Sequence, residues 1–153
     1  MPNRFLPLEA YLPHRSPMIL LDRVLEAESG RIVCSVTPRA DSQFCRNGVV
    51  PAYVGVEYMA QAVGALEGWT SRQSGGDVKI GFLVSVRKYS ARIPGFSTGV
   101  TLIVEAREEY RDTAGLGIMD CVIYHQFPEV AVAEATLTVF QPHDLNSYLT
   151  ESA

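Results

Sequence analysis

Residues 49–70 read VVPAYVGVEYMAQAVGALEGWT, a stretch of helix length that is apolar around nearly its whole circumference. A helix with one solvated face would carry several charges there, whereas this stretch contains only two carboxylates, Glu57 and Glu67. We therefore expect a helix that is buried on most sides. Pro51 suits its first turn, where an N–H is not needed, and the sequence SGG at residues 74–76 predicts its end.

Glu57, near the start of the predicted helix, is the first candidate catalytic residue. Burying a carboxylate among apolar side chains is costly unless the group is paired, hydrogen-bonded or protonated. Burial in such surroundings is expected to raise the pKa of the carboxyl group, and a raised pKa suits an acid catalyst. The alternative is that Glu57 meets a buried arginine or backbone donors and only stabilises the fold. Gln61 follows four residues later on the same helix face, so we expect it to hydrogen-bond the carboxylate or line a pocket.

The segments on either side of the predicted helix are typical of β-strands. Residues 18–28 and 31–37 flank Ser29-Gly30 and favour a β-hairpin, and the polar residues that follow predict a loop. After the helix, four β-branched or alternating runs are separated by turn residues. These runs occupy residues 78–92, 100–110, 116–127 and 130–142. We expect an α+β, hot-dog-like fold, in which a curved antiparallel sheet, ending in a four-stranded meander, wraps the helix.

Length and composition favour one domain over residues 1–153, with a core over about 8–141 and a polar tail at 142–153. A net charge of −4 gives no electrostatic case for binding nucleic acid. The N-terminal prolines and charges do not suit a signal peptide, and polar residues interrupt the longest apolar run, so no membrane span is predicted. We expect a cytoplasmic protein. Its three cysteines lack metal-ligand spacing, so no metal site is predicted.

Three stretches, in the same order along the chain, resemble the hot-dog 3-hydroxyacyl-(acyl-carrier-protein) dehydratases of the FabZ and FabA type. They are LPHRSPMILLDRVLE at residues 12–26, PAYVGVEYMAQAVGAL at 51–66 and GFLVSVRKYSAR at 81–92. The resemblance implies a homodimer with sheets joined edge to edge and active sites at the interface, or a heterodimer with another hot-dog protein. It also implies a 3-hydroxyacyl substrate carried on the phosphopantetheine arm of acyl carrier protein. The product would be the trans-2-enoyl thioester plus water, with no cofactor.

The same resemblance assigns roles to individual residues. The family's catalytic carboxylate lies six residues after a proline, which is the position of Glu57 after Pro51. The family's catalytic histidine lies fourteen residues before the carboxylate, where this chain has Gln43, followed by the matching aromatic Phe44. A glutamine amide can orient a substrate but cannot accept the α-proton. The chain therefore departs from the family at the general base.

The family's oxyanion donor is a backbone N–H at the start of the central helix. Its counterpart here is the N–H of Tyr53, which follows Ala52 where the family has glycine. Unpaired N–H groups and the helix dipole favour developing negative charge at this turn. An ordinary helix start, without a role in binding substrate, is the alternative interpretation.

His14 is a candidate replacement for the missing base, since a neutral imidazole is chemically suitable near neutral pH. The resemblance implies instead that His14 borders the acyl tunnel. Arg87, Lys88 and Arg92 crowd one predicted strand, either as a solvated edge or as a contact for an acidic carrier protein.

The resemblance, together with these residues, implies three alternative functions. The first is a 3-hydroxyacyl-carrier-protein dehydratase in fatty acid or polyketide-like biosynthesis, with Glu57 as the acid and an unusual base. The second is a catalytically incomplete hot-dog subunit that pairs with an active dehydratase and lends it Glu57 or only a binding surface. Both of these hypotheses place the chain in dehydratase-related biosynthesis, for which a secondary pathway such as aryl polyene assembly is one setting. The third is an acyl thioesterase, which would use the helix carboxylate to direct water at the carbonyl. Gln43 argues against a dehydratase that is active on its own. Glu57 argues against a protein that keeps only the fold of a dehydratase.

Overall fold

The computed structural model describes residues 4–76, 81–126 and 128–142. The long apolar stretch forms the helix α1, Gly55–Gln73, as its composition predicts. The strands are β1 Arg23–Glu28, β2 Arg31–Val36, β3 Val49–Pro51, β4 Phe82–Ala91, β5 Gly95–Ser97, β6 Leu102–Arg111, β7 Leu116–His125 and β8 Val130–Phe140. Short 3-10 turns occur at Leu8–Ala10 and Ala52–Val54.

Six of these strands form one antiparallel sheet in the order β1-β2-β6-β7-β8-β4, and α1 packs against β2, β6 and β7. The expected α+β hot-dog architecture is confirmed. The β1–β2 hairpin turns at residues 29 and 30, as predicted, with Glu28 paired to Arg31. The core between helix and sheet is fully buried at Met59, Val104 and Leu137.

The predicted four-stranded meander is wrong for its first strand. Strands β6, β7 and β8 do follow one another as neighbours, but β4 pairs with β8 at the edge of the sheet. The connection from β4 to β6 is not a tight turn, because it contains β5, which pairs with β3. This connection carries the chain from the β4 edge past the start of α1 to the middle of the sheet.

The start of α1 also differs from the prediction. Pro51 ends β3, where Val50 pairs with Phe96, so the proline belongs to a strand and not to the helix. Residues 52–54 make the 3-10 turn, and α1 begins only at Gly55. The predicted end is confirmed, since α1 stops at Gln73 and the N–H of Gly76 donates to the Ser71 carbonyl at 2.8 Å.

Some predictions concern residues outside the described part of the chain. The first residues of the predicted run 78–92, residues 78–80, and the predicted polar tail from residue 143 onward are among these. Within the ranges described above, no helix is both long and apolar enough to cross a membrane.

Candidate active site

A groove of about 200 Å³ follows one side of α1, between the helix and the neighbouring ends of β4 and β8. Its floor on the helix consists of residues spaced three or four apart, which therefore share a face. Both helix carboxylates open into this groove. Its lining residues are Pro13, His14, Glu57, Ala60, Val63, Gly64, Glu67, Gly81, Leu83, Val139, Phe140 and Gln141.

Glu57 is less buried than its apolar neighbours suggested. Its side chain is 42% exposed, because the helix face that carries it looks into the open groove and not into the sheet. The expectation of a carboxylate sealed among apolar groups is therefore wrong for the single chain. The structural alternative, in which a buried arginine holds Glu57, receives no support from its contacts, which are a glutamine amide and a histidine.

Gln61 fixes the geometry around Glu57. Its side chain is fully buried, and Nε2 donates to Oε1 of Glu57 at 3.0 Å, so the expected hydrogen bond is present. The same nitrogen donates to the Met18 carbonyl at 2.7 Å, and Oε1 accepts from the Leu20 N–H at 2.8 Å. One buried amide thus connects the segment before β1 to the helix. Its oxygen and its nitrogen both have hydrogen-bond partners. A role in binding substrate stays a prediction.

His14 lies on that N-terminal segment and faces Glu57. Its Nε2 is 3.9 Å from Oε1 of Glu57, beyond hydrogen-bond range but close enough for attraction if the imidazole is protonated. Its Nδ1 is buried and, among the described residues, has no hydrogen-bond partner. The structure brings together Glu57, Gln61 and His14 from the predicted site.

The turn before α1 is held from two sides. The Ala52 N–H donates to the Pro94 carbonyl at 3.1 Å, and the Tyr89 hydroxyl donates to the Ala52 carbonyl. A Cβ on Gly55 would lie 2.3 Å from that hydroxyl, so the close approach of Tyr89 requires glycine there. The Tyr53 side chain is 71% exposed, and its N–H stands in the first turn, where N–H groups lack intrahelical acceptors. Its role as an oxyanion donor remains a prediction.

Gln43 and Phe44 lie in a different place. They line an open cavity of about 510 Å³ together with Tyr53, and Glu57 is not among its lining residues. Phe44 is exposed and adopts a positive φ of 70°. Within one chain, therefore, Gln43 and Glu57 do not share a cavity.

A second ionic site at the far end of the groove was missed by sequence reasoning. Arg111 on β6 bridges Oε1 of Glu67 on the helix and Oε1 of Glu108 on its own strand. Burial raises the pKa of Glu67 above its ordinary value, although Arg111 opposes this effect. The available signal was that Glu67 is the second carboxylate in an otherwise apolar helix. Its arginine partner is distant in sequence and could not be identified.

The predicted carrier-protein residues lie at or beside the sheet edge. Arg87 and Lys88 are exposed on β4, and Arg92 follows that strand directly, with its guanidinium near Glu134 and the Ala131 carbonyl. A contact with a carrier protein stays a prediction. Among the described residues, no cluster of three or more His, Cys, Asp or Glu side chains could hold a metal ion.

Similar proteins share both the sequence and the fold. The model of the ApeP-like family, described as ApeP dehydratase, matches residues 6–150. The dehydratase FabZ of Solibacter usitatus, a 3-hydroxyacyl-[acyl-carrier-protein] dehydratase, is 32% identical over 127 residues, which cover 76% of each chain. The FabZ of Magnetococcus marinus is 30% identical over 112 residues, which cover 67% of this chain and 73% of that one.

A solved structure described as the dehydratase heterocomplex ApeI:P from Xenorhabdus doucetiae contains a chain with a TM-score of 0.87 to this one. The two are 25% identical, and the match covers 98% of this chain and all of the other. A Streptococcus mutans protein bound to acetyl CoA has a TM-score of 0.64 at 15% identity and shares the fold. The family model covers nearly the whole chain, and this chain belongs to the ApeP-like dehydratase family.

Proposed function

We propose that this chain is a subunit of a 3-hydroxyacyl-carrier-protein dehydratase, to which it contributes Glu57 as the proton donor while a companion hot-dog chain contributes the base. The observation that carries this proposal is the position of Glu57. It lies in an open groove, oriented by Gln61, and the glutamine at the family's base position lines a different cavity. In this proposal the chain supplies the acid and lacks the usual base.

The proposed reaction is an elimination. A base removes a proton from C2 of the acyl thioester, the C2=C3 double bond forms, and the C3–O bond breaks. Glu57 in its protonated form donates to the departing hydroxyl, which leaves as water. The N–H of Tyr53 would stabilise the charge that develops on the thioester oxygen. Gln61 would keep the Glu57 carboxyl in position.

The edge strand β4 is the proposed surface for the companion chain. It has a neighbour only on its β8 side within the described sheet, and it exposes Leu83, Val84 and Val86. An exposed apolar edge strand favours pairing with another strand. The heterocomplex described for the structural neighbour supports a second hot-dog chain as the partner. Acyl carrier protein would deliver the substrate, with Arg87, Lys88 and Arg92 as cationic contacts beside this edge.

His14 as the base is the second candidate, because its imidazole is the titratable group that faces Glu57 from the N-terminal segment. In that version the chain would be an active dehydratase without a companion. The two versions differ in which protein carries the base, and both require Glu57.

The test is dehydration of a 3-hydroxyacyl-carrier-protein thioester by the purified chain, alone and with a companion dehydratase of the same system. Shared catalysis predicts little turnover by the chain alone and rapid formation of the enoyl thioester by the mixture. Rapid turnover by the chain alone that is lost in His14→Ala would assign the base to His14. Release of free thiol without enoyl product would identify a thioesterase and overturn the proposal.

A further inference from the structure

The peptide that joins Ala52 to Tyr53 supplies two polar groups to the turn before α1. Its carbonyl belongs to Ala52 and its N–H to Tyr53, and the trans bond points the two groups in opposite directions. A donor that holds the carbonyl therefore also sets the direction of the N–H. We propose that Tyr89 is a positioning residue, whose hydroxyl holds this carbonyl and thereby directs the Tyr53 N–H at the thioester oxygen.

The hydrogen bonds of Ala52 hold this peptide from several sides. The Tyr89 hydroxyl and the Gly55 N–H both donate to the Ala52 carbonyl, which has two lone pairs to receive them. The Ala52 N–H donates to the Pro94 carbonyl at 3.1 Å, so the preceding peptide is held as well. The bond from Gly55 belongs to the turn itself, whereas the bond from Tyr89 comes from strand β4. Tyr89 therefore connects the turn to the sheet.

A bulge in β4 places the Tyr89 side chain. Between Arg87 and Ser90 the pairing with β8 shifts, so that two residues of β4 lie opposite one residue of β8. Lys88, the first of the two, has a φ of 54°, in the left-handed region that side chains disfavour. Bulges of this kind redirect a side chain. Tyr89 comes next and packs against the core, while Lys88 and Ser90 are exposed.

The hydroxyl acts on the substrate only through the peptide. A hydrogen bond to the carbonyl polarises the peptide and makes its N–H a stronger donor. Burial raises the pKa of Tyr89, so the hydroxyl stays protonated and remains a donor. This inference rests on the proposed function, in which negative charge develops on the thioester oxygen as the proton leaves C2. Loss of the hydroxyl should therefore weaken stabilisation of the transition state more than binding of the substrate.

The test compares Tyr89→Phe with the wild type in the complex of the chain with its companion dehydratase. We expect kcat for enoyl thioester formation to fall about 10-fold, less than the roughly 10²–10³-fold that loss of an oxyanion donor costs. KM should stay within about 2-fold of the wild-type value. Tyr11→Phe is the matched control, because it removes a tyrosine hydroxyl that binds a backbone group elsewhere, the Leu6 N–H. It should leave kcat unchanged.

Infrared spectroscopy gives a second readout that does not require turnover. The probe is butanoyl-pantetheine, isotope-labelled at its thioester carbonyl, which cannot be dehydrated because it lacks the 3-hydroxyl. Its carbonyl stretch should move to lower frequency when it binds to the wild-type complex and should move less in Tyr89→Phe. If Tyr89→Phe does not fold, 3-fluorotyrosine at position 89 keeps the hydroxyl as a more acidic donor, and the frequency should fall below that of the wild type.

A wild-type kcat in Tyr89→Phe, or a carbonyl frequency that no change at position 89 moves, would overturn the inference. An equal loss of kcat in Tyr11→Phe would also overturn it, since a general loosening of the fold would then explain the effect. Dehydration that persists in Glu57→Gln would contradict the proposed function instead, and that result does not depend on Tyr89.

Discussion

The two carboxylates of α1 share a helix and a groove, yet their surroundings differ. Glu57 is 42% exposed and contacts a neutral amide and a histidine, whereas Glu67 is mostly buried and bound to Arg111. A carboxyl group that must give up and regain a proton needs access to substrate and no permanent cation. Glu67 is fixed in place by its arginine partner, while burial raises its pKa above the ordinary value and Arg111 opposes this effect. Under the proposed function, Glu57 transfers the proton, whereas Glu67 has a structural role.

The largest expected effect concerns the general base, which the Glu57 end of the helix lacks. If the chain has an acid without a base, and if two copies of the isolated protein pair so that residue 43 of one copy meets Glu57 of the other, Gln43→His should raise dehydration by the isolated protein roughly 10²–10⁴-fold, the usual contribution of a positioned base. Steady-state rates with a 3-hydroxyacyl-carrier-protein substrate measure this. Gln43→Asn is the matched control and should gain nothing. No gain from histidine, combined with loss of wild-type activity in His14→Ala, would place the base at His14.

At the Glu67 end of the helix, we expect mutation of the ion pair to change the stability of the fold. Arg111→Met leaves Glu67 buried beside Glu108 without its cation, which should lower the free energy of unfolding by about 2 kcal/mol, a value reduced for the partial exposure of the pair. Urea unfolding measures the loss. Arg107→Met, which removes an exposed arginine from the same strand, is the control and should cost about 0.5 kcal/mol or less. If the two variants are equally stable, the ion pair of Glu67 and Arg111 does not stabilise the fold.

Gln61 connects the Glu57 end to the N-terminal segment, so its removal should affect both stability and geometry. Gln61→Leu keeps a similar volume but strips the Met18 carbonyl and the Leu20 N–H of their partner, at a cost of about 1–3 kcal/mol. Gln73→Leu, at the exposed end of the same helix, is the matched control. Denaturation midpoints that coincide for the two variants would show that the amide network contributes little.

Much of this arrangement is encoded locally and could be predicted. The apolar circumference within residues 49–70 predicted the long helix, although α1 begins only at Gly55, and the turn residues 29 and 30 predicted a hairpin. The i, i+4 spacing also predicted the contact between Gln61 and Glu57. These features depend on neighbours in sequence, where helix and strand periodicity apply.

The rest depends on contacts between distant parts of the chain. Strand β4 pairs with β8 at the sheet edge, and the connection after β4 contains β5, which pairs with β3. The short-range periodicity of the sequence does not reveal either pairing. The exposure of Glu57 depends on where the groove opens between α1 and the ends of two strands. The partner of Glu67 lies 44 residues away on β6. Sequence spacing carries no information about these placements.

The smallest expected effect is a pH dependence at Glu67. Burial raises the pKa of Glu67 in the folded protein above its ordinary value of 4.5, so the folded state retains a proton that the unfolded state has released. Between those two pKa values the folded state binds more protons, and stability therefore falls as the pH rises. The stability of the wild type relative to Glu67→Gln should be highest below pH 4.5 and should decline as the pH rises through the raised pKa. Urea unfolding of both proteins over this range is the measurement, and a relative stability that rises with pH would contradict the assignment.

The most direct test compares Glu57→Gln with Glu67→Gln in the complex with the companion dehydratase, measured as the rate of enoyl thioester formation from a single acyl-carrier-protein substrate. Both variants replace a carboxylate of the same helix with its neutral isostere. The account predicts a loss of roughly 10²–10⁴-fold for Glu57→Gln and a rate within a few-fold of wild type for Glu67→Gln. A Glu57→Gln complex that turns over at the wild-type rate would contradict the central claim that this chain supplies the proton donor.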